Sequence, residues 1–197
     1  MGLVDYLIGQ SKNPHGFIGK IMLKIMNNAH RDIFYTVLKR IEIKNNYKLL
    51  DLDCGGGKFI NIISKKYNDI KLYGIDISEE SIVIAKNNNK NDIKNGKMEI
   101  IKADIIKMPF ENNYFDIITA IQTHYYWKNI KNSIEEIYRI LKYNETFIMA
   151  AELYKINYHM DKYKTKEEII KLFIRTGFKK IEYKEDGKYM NIKGIKI

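Results

Sequence analysis

The chain has 197 residues, 45% apolar and 29% charged, enough for one globular domain with a sizeable buried core. Its one cysteine, Cys54, excludes a disulfide framework or a CxxC metal or redox site and fits a reducing, cytoplasmic setting. The net charge of +10 invites a nucleic-acid partner, but 30 of the 34 basic residues are scattered lysines, whereas base readers and phosphate clamps favour arginine.

The N-terminal MGLVDYLIGQ has no basic leader, and Tyr6 stands where a myristoylation signal takes serine or threonine. No run reaches the ~18 apolar residues of a membrane span. Ile18, Ile21, Met22, Ile25, Met26, Ala29, Ile33, Val37 and Ile41 share one helical face, so residues 1–45 are read as a helical cap on a domain spanning 46–197.

Strand and helix signals then alternate in the manner of an α/β domain. KLLDLD (48–53) is a strand running into glycines, and Phe59, Ile60, Ile63 and Tyr67 recur at helical spacing. IKLYGID (70–76) is the next strand, and Ser78 with Glu79 and Glu80 opens a helix to about residue 88. KMEIIKAD (97–104) and YFDIITAI (114–121) are strands three and four, and Ile130, Ile134, Ile137, Tyr138 and Leu141 mark a helix. ETFIMAAE (145–152) is a fifth strand. Thr165 and Glu168 form a capping box for a helix stopped by Gly177, and two last strands turn at Asp186-Gly187.

The strand–glycine–helix passage Leu50-Asp51-Leu52-Asp53-Cys54-Gly55-Gly56-Gly57 lets a ligand approach backbone N–H groups at a helix start. Asp76 ends the next strand 19 residues after Gly57, where an acid takes a ribose diol, and Asp104 ends the third. These acids would gather at the C-terminal edge of a parallel sheet. A dinucleotide fits poorly: Asp53 would repel its pyrophosphate, and Ile60 replaces the third glycine of G-x-G-x-x-G. A cationic ligand with a ribose and no phosphate, such as S-adenosylmethionine, meets no such repulsion.

The chain resembles class I S-adenosylmethionine-dependent methyltransferases, specifically the small ones related to quinone and sterol methyltransferases. LLDLDCGGG is similar to their motif LDLGCGxG, with Asp53 in place of a glycine. YGIDIS, KADI, MPFENNYFDIITA and RILK follow in the family's order across roughly residues 47–185. Tyr143-Asn144-Glu145 replaces Pro-Gly-Gly, with Asn144 able to take the left-handed turn.

The resemblance implies a Rossmann-like, seven-stranded, mostly parallel sheet with helices on both faces, and S-adenosylmethionine as cofactor. It implies that Asp51, Asp53, Cys54, Gly55 and Gly57 meet the cofactor's methionine end, which Ile121 and Gln122 also touch. Asp76 is expected on the ribose, Ile77 on the adenine, and Asp104 with Ile105 at the adenine amino group and ring. His124 and Tyr125, after the fourth strand, are the candidate catalytic pair, His124 as a base. His15, His30 and Tyr158 are lesser candidates.

The expected partner is a small methyl acceptor, since residues 153–164 leave little room for a large substrate domain; no metal, nucleic acid or stable membrane insertion is expected. Three alternatives stay open: a cofactor-binding protein without turnover, motivated by Asp53; an NAD(P)-binding domain; and a nucleic-acid methyltransferase, motivated by charge.

Overall fold

The computed structural model describes residues 30–197. Five apolar runs form parallel strands: β1 (Tyr47–Leu52), β2 (Ile70–Asp76), β3 (Met98–Lys102), β4 (Phe115–Ile121) and β5 (Leu141–Glu152). The hairpin β6 (Phe178–Asp186) and β7 (Tyr189–Lys196) turns through Gly187 (φ 58°), and β7 lies antiparallel beside β5. The sheet order is β3-β2-β1-β4-β5-β7-β6. The chain therefore builds outward from β1 to β3, returns, and builds the other way from β4. The crevice at this reversal, between the C-terminal ends of β1 and β4, is where open α/β sheets bind ligands.

Side chains alternate along each strand, so every central strand feeds two cores. One core joins Leu49, Leu72, Ile117 and Ile148 to α1 (Arg31–Leu38), α2 (Lys58–Lys66) and α3 (Glu79–Asn88), through Ile33, Val37, Phe59, Ile63, Ile82 and Ala85. The other joins Leu50, Ile75, Ile118 and Phe147 to α5 (Ile130–Ile140), α6 (Leu153–His159) and α7 (Lys166–Thr176). A short helix α4 (Lys90–Lys94) buries no residue. Of the expected N-terminal helical face, Ile33, Val37 and Ile41 are buried in the first core; Ile18, Ile21, Met22, Ile25, Met26 and Ala29 lie outside the described residues, as does His15.

The expected caps are present. The Ser78 hydroxyl accepts from Ser81 N at 3.3 Å, and Thr165 with Glu168 closes a reciprocal capping box. Gly177 ends α7 at φ 115° with the Tyr138 ring so close that a Cβ would lie 2.9 Å from its hydroxyl. Asn144 takes φ 64°, the left-handed conformation expected where Pro-Gly-Gly is replaced. One junction differs from expectation: β5 begins at Leu141, directly where α5 ends, instead of at residue 145. The carbonyls freed there are satisfied by Lys196, only 4% exposed, whose Nζ donates to Tyr138 O at 2.7 Å and Leu141 O at 2.9 Å.

Asn191, in β7, is fully buried with neither side-chain polar atom hydrogen-bonded. Burying an unpaired amide is unfavourable, so Asn191→Leu is expected to raise unfolding free energy by about 1 kcal/mol or more. Denaturant unfolding checks this, and a comparable loss of stability would contradict it.

Candidate functional site

β1 runs into a turn in which Asp53 (φ 47°), Gly55 (φ 52°) and Gly57 (φ 70°) all adopt left-handed backbone. Cys54 N donates to Ile75 O and Gly57 N to Cys54 O, each at 2.9 Å, which folds the turn over the end of β2. The Cys54 thiol is buried against Gly74, where a Cβ would stand 2.8 Å from the sulfur. Burial, and then the carboxylates of Asp76, Asp51 and Asp53, push this thiol well above its ordinary pKa, so it is an inert packing group.

Two asparagines that the sequence pattern did not single out hold the glycines from behind. Asn88 Nδ2 donates to Gly56 O at 2.9 Å, and Asn89 Nδ2 donates to Gly57 O at 3.4 Å and Ala85 O at 2.8 Å. Gly57 opens α2, and a Cβ there would lie 2.6 Å from Asn89 Nδ2. Left-handed strain and this clash act together, so Gly57→Ala is expected to cost about 2 kcal/mol or more, read as a lower denaturation midpoint. An unchanged midpoint would contradict this packing.

The acids meet at the rim. Asp76, 7% exposed, accepts from Gly55 N (2.9 Å) on Oδ2 and from Ser78 N (2.8 Å) on Oδ1, which locks the β1 turn to the end of β2. Asp51 is buried and accepts from the Thr119 hydroxyl at 2.7 Å. Burial pushes the Asp51 carboxyl up to about 7, with Asp53 and Asp76 adding to the rise and the Thr119 hydrogen bond opposing it. Burial, and then the charge of Asp53, push Asp76 up to about 6, against the backbone N–H groups that favour its charged form. Burial also raises Asp53, with Asp104 contributing. Among the described residues, no lysine or arginine forms an ion pair with Asp51, Asp53, Asp76 or Asp104. The rim thus carries carboxylates that no cation among the described residues neutralises.

Beside this rim, Ile77 is 55% exposed and free to cover a ligand ring, whereas Ile105 is buried in the core with Tyr73 and Met108. Asp104 is exposed, and its Oδ1 accepts from Ile106 N at 3.1 Å. Ile121 ends β4 inside the first core.

On the other side of the crevice, Gln122 takes left-handed backbone (φ 61°) and is buried. Its Nε2 donates to Glu152 Oε2 at 3.0 Å, and its Oε1 accepts from Glu152 N (3.1 Å) and from the Tyr125 hydroxyl (3.3 Å). Burial works to raise Glu152, but Lys188 and Lys155 outweigh it and hold this carboxyl at about 2. His30, kept near 4 by burial and then by Lys155, lies with Nε2 3.3 Å from the Lys155 amine. A 3₁₀ turn, His124–Tyr126, follows Thr123. His124 is 1% exposed, and neither ring nitrogen has a hydrogen-bond partner. Burial lowers it to about 3, so the imidazole is neutral. Tyr125 is a neutral phenol, its pKa raised by burial, and its ring stacks on His159 at 5.4 Å. Tyr158, in α6, is 70% exposed.

The structure brings Asp51, Asp53, Cys54, Gly55, Gly57 and Asp76 into one rim and sets Gln122, His124 and Tyr125 across the crevice from it. Thr123 and Trp127, in the segment after β4 that the sequence places beside the ligand, complete it with Asn88, Asn89, Thr119 and Glu152, which were not apparent from the sequence. Among the described residues, no cluster of three metal-ligating side chains is present and no helix is long and apolar enough to cross a membrane.

A parallel sheet with a glycine turn and an acidic rim at its reversal point defines a Rossmann-like protein built to hold a nucleoside-bearing ligand. A family model described as a methyltransferase domain matches residues 43–192, and the chain belongs to that family. It is 30% identical over 138 residues to the sterol 24-C-methyltransferase erg-4 of Neurospora crassa, an alignment covering 70% of this chain and 36% of that protein. The chain therefore spans little more than a third of that relative.

Among solved structures, a SAM-dependent methyltransferase from Aquifex aeolicus aligns at TM-score 0.73 and 21% identity, over 89% of this chain and 97% of that one. Haemonchus contortus phosphoethanolamine N-methyltransferase 2, in complex with S-adenosyl-L-methionine, aligns at TM-score 0.72 and 15% identity, over 84% of this chain and 52% of that one. At these identities the two structures show the shared fold.

Proposed function

We propose that this protein transfers a methyl group from S-adenosylmethionine to a small-molecule acceptor. The observation that carries this reading is the group of buried or half-buried carboxylates, Asp51, Asp53 and Asp76, all raised chiefly by burial, with Asp53 further raising the other two, and none paired with a cation among the described residues. S-adenosylmethionine fits this set: its ribose and its ammonium group bring hydrogen-bond donors and positive charge, and it has no phosphate to be repelled. Asp76 is assigned to the ribose hydroxyls, Asp51 and Asp53 with the Cys54–Gly57 turn to the amino-acid end, and Ile77 with Asp104 and Ile105 to the adenine.

When bound, the cofactor supplies a methyl group on a positively charged sulfur, open to in-line displacement. The chain's part is to align the acceptor and to keep water away. The aromatic segment Tyr125–Trp127 and the Gln122–Glu152 pair border the acceptor side. His124 is 1% exposed, neutral and without a hydrogen-bond partner, and with a pKa near 3 it is a weak base, so we assign it positioning of the segment after β4 ahead of proton removal. Of the cap expected over residues 1–45, α1 packs on the sheet through Ile33 and Val37, and residues 1–29 lie outside the described residues.

The test is to supply S-adenosylmethionine with a panel of phenol, amine, thiol and sterol acceptors and follow release of S-adenosylhomocysteine. Turnover with one acceptor class is expected. Binding of NADH without binding of S-adenosylmethionine would overturn the reading. Cofactor binding without turnover across the panel would favour a second reading, a cofactor-binding protein, for which Asp53 in the glycine turn is the specific observation.

A further inference from the structure

Asp53 holds a left-handed conformation (φ 47°) that glycine would adopt at less cost, so its side chain needs a reason. Its Oδ2 accepts from the Trp127 indole Nε1 at 2.8 Å and from the Thr123 hydroxyl, while Trp127 Nε1 also lies 3.3 Å from Thr123 Oγ1. These partners sit 70 and 74 residues further along, at both ends of the turn that carries His124 and Tyr125. Gln122, just before them, is left-handed as well (φ 61°) and is held by Glu152 from the opposite side. The segment after β4 is thus fastened at two points, to the cofactor turn through Asp53 and to the end of β5 through Gln122. Both Asp53 bonds fall on Oδ2, which leaves Oδ1 for the ligand.

We infer that Asp53 is a positioning residue: through Trp127 and Thr123 it ties the turn after β1 to the segment after β4 and so sets where His124 and Tyr125 stand against the bound cofactor. The inference rests on the proposed function for its meaning, though the tether itself exists without ligand. A carboxylate acceptor strengthens both bonds relative to a neutral one. Hydrogen bonds of this kind hold only while the turn and the segment keep their register, so each reports on the other.

Trp127 is the chain's single tryptophan, so its indole N–H gives one resonance that reads the tether directly. The experiment measures indole hydrogen exchange in the full chain, as wild type, Asp53→Gly and Asp53→Asn, with and without S-adenosylhomocysteine. Without ligand, Asp53→Gly is expected to exchange about tenfold faster, the factor carried by a lost hydrogen bond to a charged acceptor. Glycine relieves the left-handed backbone, which offsets part of the two lost hydrogen bonds, so the fall in melting temperature is expected to be small. Asp53→Asn, which keeps an acceptor oxygen, is expected to restore most of the protection. Equal exchange in wild type and Asp53→Gly would overturn the inference. A wild type whose indole resonance ignores S-adenosylhomocysteine while the Asp53-dependent protection persists supports the tether and counts against the cofactor reading, so the two failures are separable.

Discussion

Asp76→Ala is expected to weaken binding of S-adenosylhomocysteine by about 100-fold or more, the loss of two charge-assisted hydrogen bonds to a ribose diol. The same carboxylate also receives Gly55 N and Ser78 N, so its removal loosens the β1 turn as well as the ligand contact. Asp76→Asn separates these roles. An amide oxygen can still accept one of the two backbone N–H groups, while the amide NH2 faces the other and the charge is lost, so binding should remain strongly reduced and the melting temperature should fall by less than in Asp76→Ala. Titration calorimetry with thermal melts checks both variants. Binding within a few fold of wild type in either would remove Asp76 from the site.

Cofactor affinity should also fall as the solution is acidified through neutrality. Asp51 near 7 and Asp76 near 6 are held up chiefly by burial, and a bound cation favours their ionised forms. Binding therefore releases protons, and affinity drops as pH falls through these two values, by about 20-fold between pH 8 and pH 6 if both groups are fully linked.

Stability follows the opposite sign for these groups. The ligand-free native state binds protons that the unfolded chain, with ordinary aspartates, does not, so Asp51 and Asp76 make the free protein more stable as pH falls from about 8 toward 6. His30 and His124, lowered to about 4 and about 3 by burial, act against this below about pH 6.5, where the unfolded chain takes up protons and the native state does not. Calorimetry in two buffers of different ionisation enthalpy measures the protons released at pH 7. Release that disappears in Asp51→Asn is expected; affinity that does not change between pH 8 and pH 6 would contradict the account.

Much of the sheet was legible because a parallel strand buried on both faces reads as a short apolar run. β2 and the capping box of α7 appear where the pattern placed them. α4 and α6 were not legible: α4 buries nothing and α6 buries only Ile156, so neither leaves a periodic stripe. The early start of β5 depends on Lys196, more than fifty residues away in the chain, to satisfy the carbonyls at the end of α5. For the site, acids and glycines at strand ends were visible from their positions in sequence. Asn88 and Asn89, which brace the glycines, look like ordinary polar residues at a helix end, and the partners of Asp53 come from another strand's loop. Local pattern shows what can line a rim; which side chains then fasten it is decided by contacts across the sheet.

The most direct test of the central claim is a crystal structure of the full chain with S-adenosylhomocysteine. The account predicts the ribose hydroxyls on Asp76, the amino-acid end beside Asp51, Asp53 and the Cys54–Gly57 turn, and the sulfur facing the segment that carries His124 and Tyr125. A ligand seated away from the β1–β4 crevice, or within it with the acidic rim turned toward solvent, would contradict it.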